Sequence, residues 1–138
     1  MSPTMIFRSE VEGGMEIDRP VLILGGSGGP KIISSVLQVF LNYCVIGLSL
    51  FDSITRPRVH DQLVYHGSAV TAVEQDRLDQ GPLIAVSQLT KDALLRRGHN
   101  RLIAIDYAGT VQAVAFDLEN RTWSAVSDVR KGGTPAGY

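Results

Sequence analysis

The feature that most restricts how this chain folds is the apolar run Val21-Leu22-Ile23-Leu24, which passes straight into Gly25-Gly26-Ser27-Gly28-Gly29-Pro30. Apolarity that is continuous rather than alternating predicts a strand covered on both faces and central in a layered sheet. Pro30 suits the first position of a helix, and Ile32, Ile33, Val36, Leu37, Phe40, Leu41 and Cys44 then recur at helical spacing. Only Ser34, Ser35, Gln38 and Asn42 form a thin polar strip. Such a helix is expected to lie buried between layers and to end at Gly47, with Cys44 as a small buried hydrophobe.

Around this strand, loop and helix the remaining elements are less apolar. Pro3 to Phe7 reads as a short strand, and Ser9 to Arg19, with Gly13-Gly14 and four acids, as a polar turn or hairpin loop returning at Pro20. Ser49 followed by Asp52 predicts the cap of a short helix that stops near Arg56, before Pro57. Ala69 to Glu74 reads as a strand and Gln75 to Gly81 as a polar turn. Ser87 to Arg97 is an amphipathic helix carrying Leu89, Ala93 and Leu94 and ending at Gly98. Leu102 to Ile105, Val111 to Phe116 and Thr122 to Val126 read as three strands, with Trp123 expected in the core. The links Asp106 to Gly109 and Asp117 to Asn120 are short enough for antiparallel hairpins. The expected fold class is α/β, with largely antiparallel strands and buried helices in one domain over residues 1–138, without repeat or internal linker.

Composition narrows the function classes. Thirteen basic against fourteen acidic residues leave a net charge of -1, and no basic stripe with interleaved aromatics tracks a phosphate backbone, so nucleic acid is not an expected partner. No apolar run reaches the roughly 18 residues of a membrane helix, and Met1-Ser2-Pro3-Thr4 does not open an export signal. The single cysteine excludes an internal disulfide framework and a cysteine metal cage, and neither metal nor cofactor is expected.

The glycine cluster admits three readings. Between a buried strand and a helix, its free backbone N–H groups can point at an anion beside the positive helix end. It lacks the third glycine of a dinucleotide fingerprint, where Lys31 stands, and the Gly-Lys pair of a nucleotide P-loop. Gly25-Gly26-Ser27-Gly28-Gly29 also matches the G-x-S-x-G nucleophile elbow of a serine esterase, with Ser27 at its tip and an acid and base drawn from Asp79 or Asp92 with His99. Against this, the chain is short for the parallel sheet of that fold, and the Gly98-His99-Asn100 turn suits a solvated histidine. The third reading is a tight strand-to-helix turn with no ligand.

Five blocks in order carry a resemblance: Met1 to Thr4; Gly25 to Val39; Arg56-Pro57-Arg58-Val59-His60-Asp61-Gln62; Arg97-Gly98-His99; and Ser127 to Gly133 with Ala136-Gly137-Tyr138. Together they resemble the C-terminal part of the small subunit of γ-glutamyltransferases, or glutathione hydrolases. The resemblance implies an N-terminal nucleophile hydrolase fold, an αββα sandwich in which autocleavage exposes a threonine. That threonine attacks the γ-glutamyl amide of glutathione with its own α-amino group as base, and the acyl-enzyme passes to water, an amino acid or a dipeptide.

By the same resemblance Gly28 and Gly29 match the Gly-Gly pair whose N–H groups hold the oxyanion and contact substrate. Ser27 stands where members carry proline or serine and is a loop residue. The nucleophilic threonine, a second threonine, the acidic and asparagine residues that hold the substrate, and a Ser-Ser pair all precede the position of Met1. The chain is therefore expected to be a fragment, an incomplete gene model or one piece of a split protein, whose partner is the missing N-terminal portion or large subunit. The compartment implied is extracellular, cell-surface, vacuolar or periplasmic. His60 is expected to be a hydrogen-bonded structural residue, and Arg56 and Arg58 to form surface or packing salt bridges. The alternative class is a noncatalytic remnant or interaction module that keeps only the scaffold.

Overall fold

A long antiparallel ribbon opens the fold in the computed structural model, which describes residues 2–77 and 83–137. Strand β1 (Thr4–Glu12) pairs with β2 (Met15–Ser27) from Thr4 opposite Leu24 to Glu12 opposite Met15. The polar stretch Ser9 to Arg19 is thus strand rather than loop, and only Gly13 and Gly14, at φ 62° and 82°, make the turn. Charge replaces hydrophobic alternation here: Arg19 pairs with Glu10 at 3.2 Å and also with Glu12, and the Ser9 hydroxyl donates to Asp18 at 2.6 Å. A register shift at Ile6/Phe7 leaves Val21 unpaired beside Pro20, which has no N–H to give.

The first sheet runs β1-β2-β7-β8, antiparallel throughout, with β7 (Thr110–Asp117) and β8 (Thr122–Val126) forming the expected hairpin. Strand β2 is interior, as its apolarity predicts. One face of this sheet, Leu22 and Leu24 with Val111, Ala113 and Ala115, packs under Val36 and Val39 of helix α1 (Lys31–Phe40) and Leu50 and Ile54 of α2 (Leu50–Thr55). Alanines on β7 let the helices approach closely. The opposite face is not covered to the same degree. Ile23, Gly25, Val114 and Ala125 line an open cleft of about 660 Å³ beside the C-terminal residues Lys131–Ala136.

Helix α1 also departs from the expected burial. Ile33, Leu37, Leu41 and Val45 are 73%, 51%, 39% and 68% exposed, a stripe four residues apart along α1 and the π-helical turn Leu41–Ile46 that follows it. Cys44 lies on that turn and is exposed rather than buried. The turn ends at Gly47, and α2 starts with the Ser49 hydroxyl accepting the Asp52 N–H at 3.0 Å.

The second sheet is organised on β4 (Thr71–Arg77). Strands β3 (Val59–His60) and β5 (Leu83–Ala85) pair with it antiparallel along successive residues, and β6 (Leu102–Ile105) pairs with it parallel. Helix α3 (Gln88–Arg96), capped by Ser87, lies in the crossover that a parallel pair requires. The expected hairpin between β6 and β7 is therefore absent. Asp106 to Gly109 instead carries the chain from one sheet to the other, because β6 spends its backbone groups on β4 and the link is held by charged side chains described below. Trp123 is likewise not in the core: it is 53% exposed on edge strand β8, against Phe116 with ring centroids 4.8 Å apart.

Contrasting substitutions measure this one-sided packing. Ile54→Ala, at a wholly buried site, should lower the unfolding free energy in urea by about 2–5 kcal/mol. Ile33→Ala, on the exposed stripe, should stay within about 0.5 kcal/mol of the parent. Comparable losses at both would mean that the outer face of α1 is covered in solution.

Candidate active site

The glycine loop joins the end of β2 to the start of α1, and its backbone makes half of its bonds. The carbonyls of Gly28 and Gly29 accept the N–H groups of Lys31 at 3.3 Å and Ile32 at 3.1 Å, which starts the helix. Among the described residues, the N–H groups of Gly28 and Gly29 themselves donate to nothing. Both residues sit at positive φ, 136° and 61°. A Cβ on Gly28 would lie 2.7 Å from the Cα of Gly109, so the two backbones touch. No acid occupies the first turn of α1, and the Lys31 ammonium donates to the Tyr107 carbonyl at 3.1 Å, over the Tyr107 ring at 5.0 Å. The corner carries two free donors, the positive helix end and one cation, which suits developing negative charge.

Ser27 does not stand on an elbow. It is the last residue of β2, and its hydroxyl lies 2.8 Å from that of Thr110 across the sheet. None of the three histidines hydrogen-bonds to it. His99 places Nδ1 3.0 Å from Asp61 and 2.8 Å from the Thr71 hydroxyl. It is partly exposed, but tethered rather than simply solvated. His60 is buried between Ser34 at 2.8 Å and Gln62 at 2.9 Å, a structural histidine as expected. Asp92 accepts from Gln88, and Asp79 lies outside the described residues. The serine-esterase arrangement is thus not assembled.

Beneath the loop lies a charge cluster that residue patterns alone did not reveal. Arg58 is 2% exposed, and Glu74 and Asp128 are 0% exposed. The Arg58 guanidinium donates to the carbonyls of Gly109 at 2.7 Å and Ile54 at 2.5 Å and to Asp128 at 2.8 Å. Arg130 donates to Glu74 through Nε and a terminal nitrogen, each at 2.6 Å, and to Asp128 at 3.0 Å. Glu74 also takes the N–H groups of Arg58 and Ala108, and Asp128 those of Val111 and Arg130. Arg58 is therefore a packing ion pair of the buried kind. The available signal for Glu74 was a single acid closing the apolar run from Ala69; for Asp128 and Arg130 it was only their place in the resembling C-terminal block.

Burial drives the Asp128 carboxyl upward, but Arg58, Arg130 and the two backbone N–H donors outweigh it and hold it below the ordinary carboxylate range. A carboxyl depressed on folding contributes stability above its unfolded value, near about 3.9, and loses it as pH falls further through the folded value. The unfolding free energy should therefore drop as pH is lowered from about 4, and Asp128→Asn, less stable at neutral pH, should show a shallower acid slope in urea titrations. Parallel slopes would remove Asp128 from the acid response.

Known proteins resemble this chain in sequence and in structure. A sequence model of the family described as gamma-glutamyltranspeptidase matches residues 1–138. The glutathione hydrolase proenzyme of Bacillus subtilis (strain 168) is 29% identical over 140 residues, covering 99% of this chain and 20% of that protein. Human glutathione hydrolase 5 proenzyme is 32% identical over 117 residues, covering 85% of this chain and 17% of that protein. The chain thus spans about a fifth of the length of these relatives. In structure it is similar to the gamma-glutamyltranspeptidase of Pseudomonas nitroreducens complexed with L-DON, with TM-score 0.67 and 23% identity over 100% of this chain and 64% of that one. The α/β architecture with its antiparallel first sheet is accordingly part of an N-terminal nucleophile hydrolase fold. From its whole length, the chain belongs to the γ-glutamyltranspeptidase family.

Proposed function

We propose that this chain is the C-terminal portion of a small-subunit-like domain and supplies the oxyanion loop of an enzyme that transfers or hydrolyses γ-glutamyl groups of glutathione and related amides. The nucleophile in this reading is a threonine outside the 138 residues. Its attack on the γ-glutamyl carbonyl creates a tetrahedral oxyanion, which the N–H groups of Gly28 and Gly29 receive. The α1 end and Lys31 add positive potential to the same corner. Collapse of the tetrahedral species expels the amine and leaves an acyl-enzyme, which water or an amino acid or dipeptide then resolves. The observation that carries this reading is the pair of adjacent, unpaired N–H groups held at positive φ beside Gly109. Donors fixed before the reaction need no reorganisation when charge develops, so they lower the barrier more than they strengthen substrate binding.

In the enzyme carrying its nucleophile, Gly29→Pro should lower kcat by a factor on the order of 10² to 10³ by removing one donor and distorting the loop. Gly29→Ala retains the N–H, and its methyl group meets nothing within 4 Å, so only the cost of φ 61° remains and its loss should be clearly smaller. Ser27→Ala should retain turnover of a chromogenic γ-glutamyl anilide. Full kcat in both glycine variants, measured on folded and autocleaved enzyme, would make the loop a structural turn; labelling of Ser27 by a serine-directed phosphonate would support an esterase.

A further inference from the structure

The oxyanion loop does not hold its own shape; a neighbouring segment does. Gly28 rests on Gly109, and a Cβ added to Gly109 would in turn lie 3.1 Å from the Ser27 carbonyl and 2.8 Å from the Ser35 hydroxyl. Residues 108–111 are therefore the floor of the loop, and each is fixed by a group outside the segment. Ala108 donates its N–H to Glu74, and its carbonyl accepts from the Ser35 hydroxyl. The Gly109 carbonyl accepts from Arg58, the Thr110 hydroxyl meets that of Ser27, and Val111 donates its N–H to Asp128.

Among the described residues, Arg58 is the one cation that hydrogen-bonds to this floor. Its terminal nitrogens are committed to Gly109, Ile54 and Asp128, and its Nε is the only buried side-chain nitrogen or oxygen among the described residues that lacks a partner. An unpaired buried N–H is unfavourable, so the guanidinium is oriented by its other bonds at the expense of this one. From these contacts we propose that Arg58 is a positioning residue for the oxyanion loop: by binding the Gly109 carbonyl it sets the height of Gly109 beneath Gly28, and so the aim of the two N–H donors. Because such donors must lie within about 2.7–3.1 Å of the developing oxyanion, a small displacement of the floor is read in the transition state and hardly at all in substrate binding.

This inference rests on the γ-glutamyl reading, and its test separates the two. Arg58→Lys keeps the charge but replaces a planar fork by a point ammonium, and Gly109→Ala moves the floor with Arg58 intact. In active-site-titrated enzyme each should lower kcat at least tenfold while KM stays within twofold. Each should also weaken a tetrahedral γ-glutamyl boronate in the same proportion as kcat/KM. A lower melting temperature and fewer active sites, with unchanged kcat per site, would overturn the proposal. If the unsubstituted enzyme transfers no γ-glutamyl group, the function fails on its own. Positioning is then read from the amide resonances of Gly28 and Gly29 in this chain: they must shift in Arg58→Lys and not in Arg56→Lys, an exposed neighbour, and unmoved resonances would overturn it.

Discussion

Two arginines and two carboxylates, buried together, are the constraint on which the rest of this molecule depends. Moving a charge out of water costs several kcal/mol, and a buried pair recovers that only if every lone pair and donor is used well. Here each of the four carboxylate oxygens of Glu74 and Asp128 accepts two hydrogen bonds. The donors come from the segments before β3 and after β8, from the link between the sheets and from Val111 of β7. The cluster is neutral in sum, so it adds no net charge beneath the glycine corner. Burial lowers the Arg58 guanidinium, with Arg130 adding to the effect, more than Asp128 and Glu74 raise it, whereas Arg130, gripped by both acids, is raised despite burial.

Apolar packing around that cluster is lopsided. The core formed by β2, β7, α1 and α2 is closed with small residues and Leu, Val and Ile side chains, yet the second face of the first sheet and the outer stripe of α1 remain open. An αββα sandwich implies a second sheet against the open sheet face, and the chain spans only about a fifth of its relatives' length. The glycine corner sits at the end of β2, where the strand finishes pairing with β7 at Ser27 opposite Thr110. The N–H groups of Gly28 and Gly29 are thus placed where backbone groups are released from a sheet and not yet taken up by a helix.

Local signals were legible wherever a residue's own chemistry sets its conformation. The Gly28-Gly29-Pro30 passage from strand to helix, the Ser49 and Ser87 caps, and the hairpin β7–β8 all depend on neighbours within a few residues. Errors arose where the deciding partner is remote. The stretch Ser9 to Arg19 is polar enough to suggest a loop yet pairs as strand, with Arg19 reaching across to Glu10 and Glu12. Strand β6 leaves β7 for β4, some thirty residues earlier in the chain. Cys44 and Trp123 are apolar enough to suggest burial, yet both are exposed, because burial depends on what packs opposite them.

What the amino-acid sequence determined by itself is therefore the strand, glycine loop and helix, and, through five ordered blocks, the family. Tertiary structure alone decided that Ser27 meets Thr110 rather than a histidine, and that Gly109 lies under Gly28. It also decided that Arg58, Glu74, Asp128 and Arg130 converge, though they are spread over residues 58–130. The physical reason is range: a turn or cap is satisfied by bonds a few residues away, but a buried charge is stable only where distant segments bring its partners together.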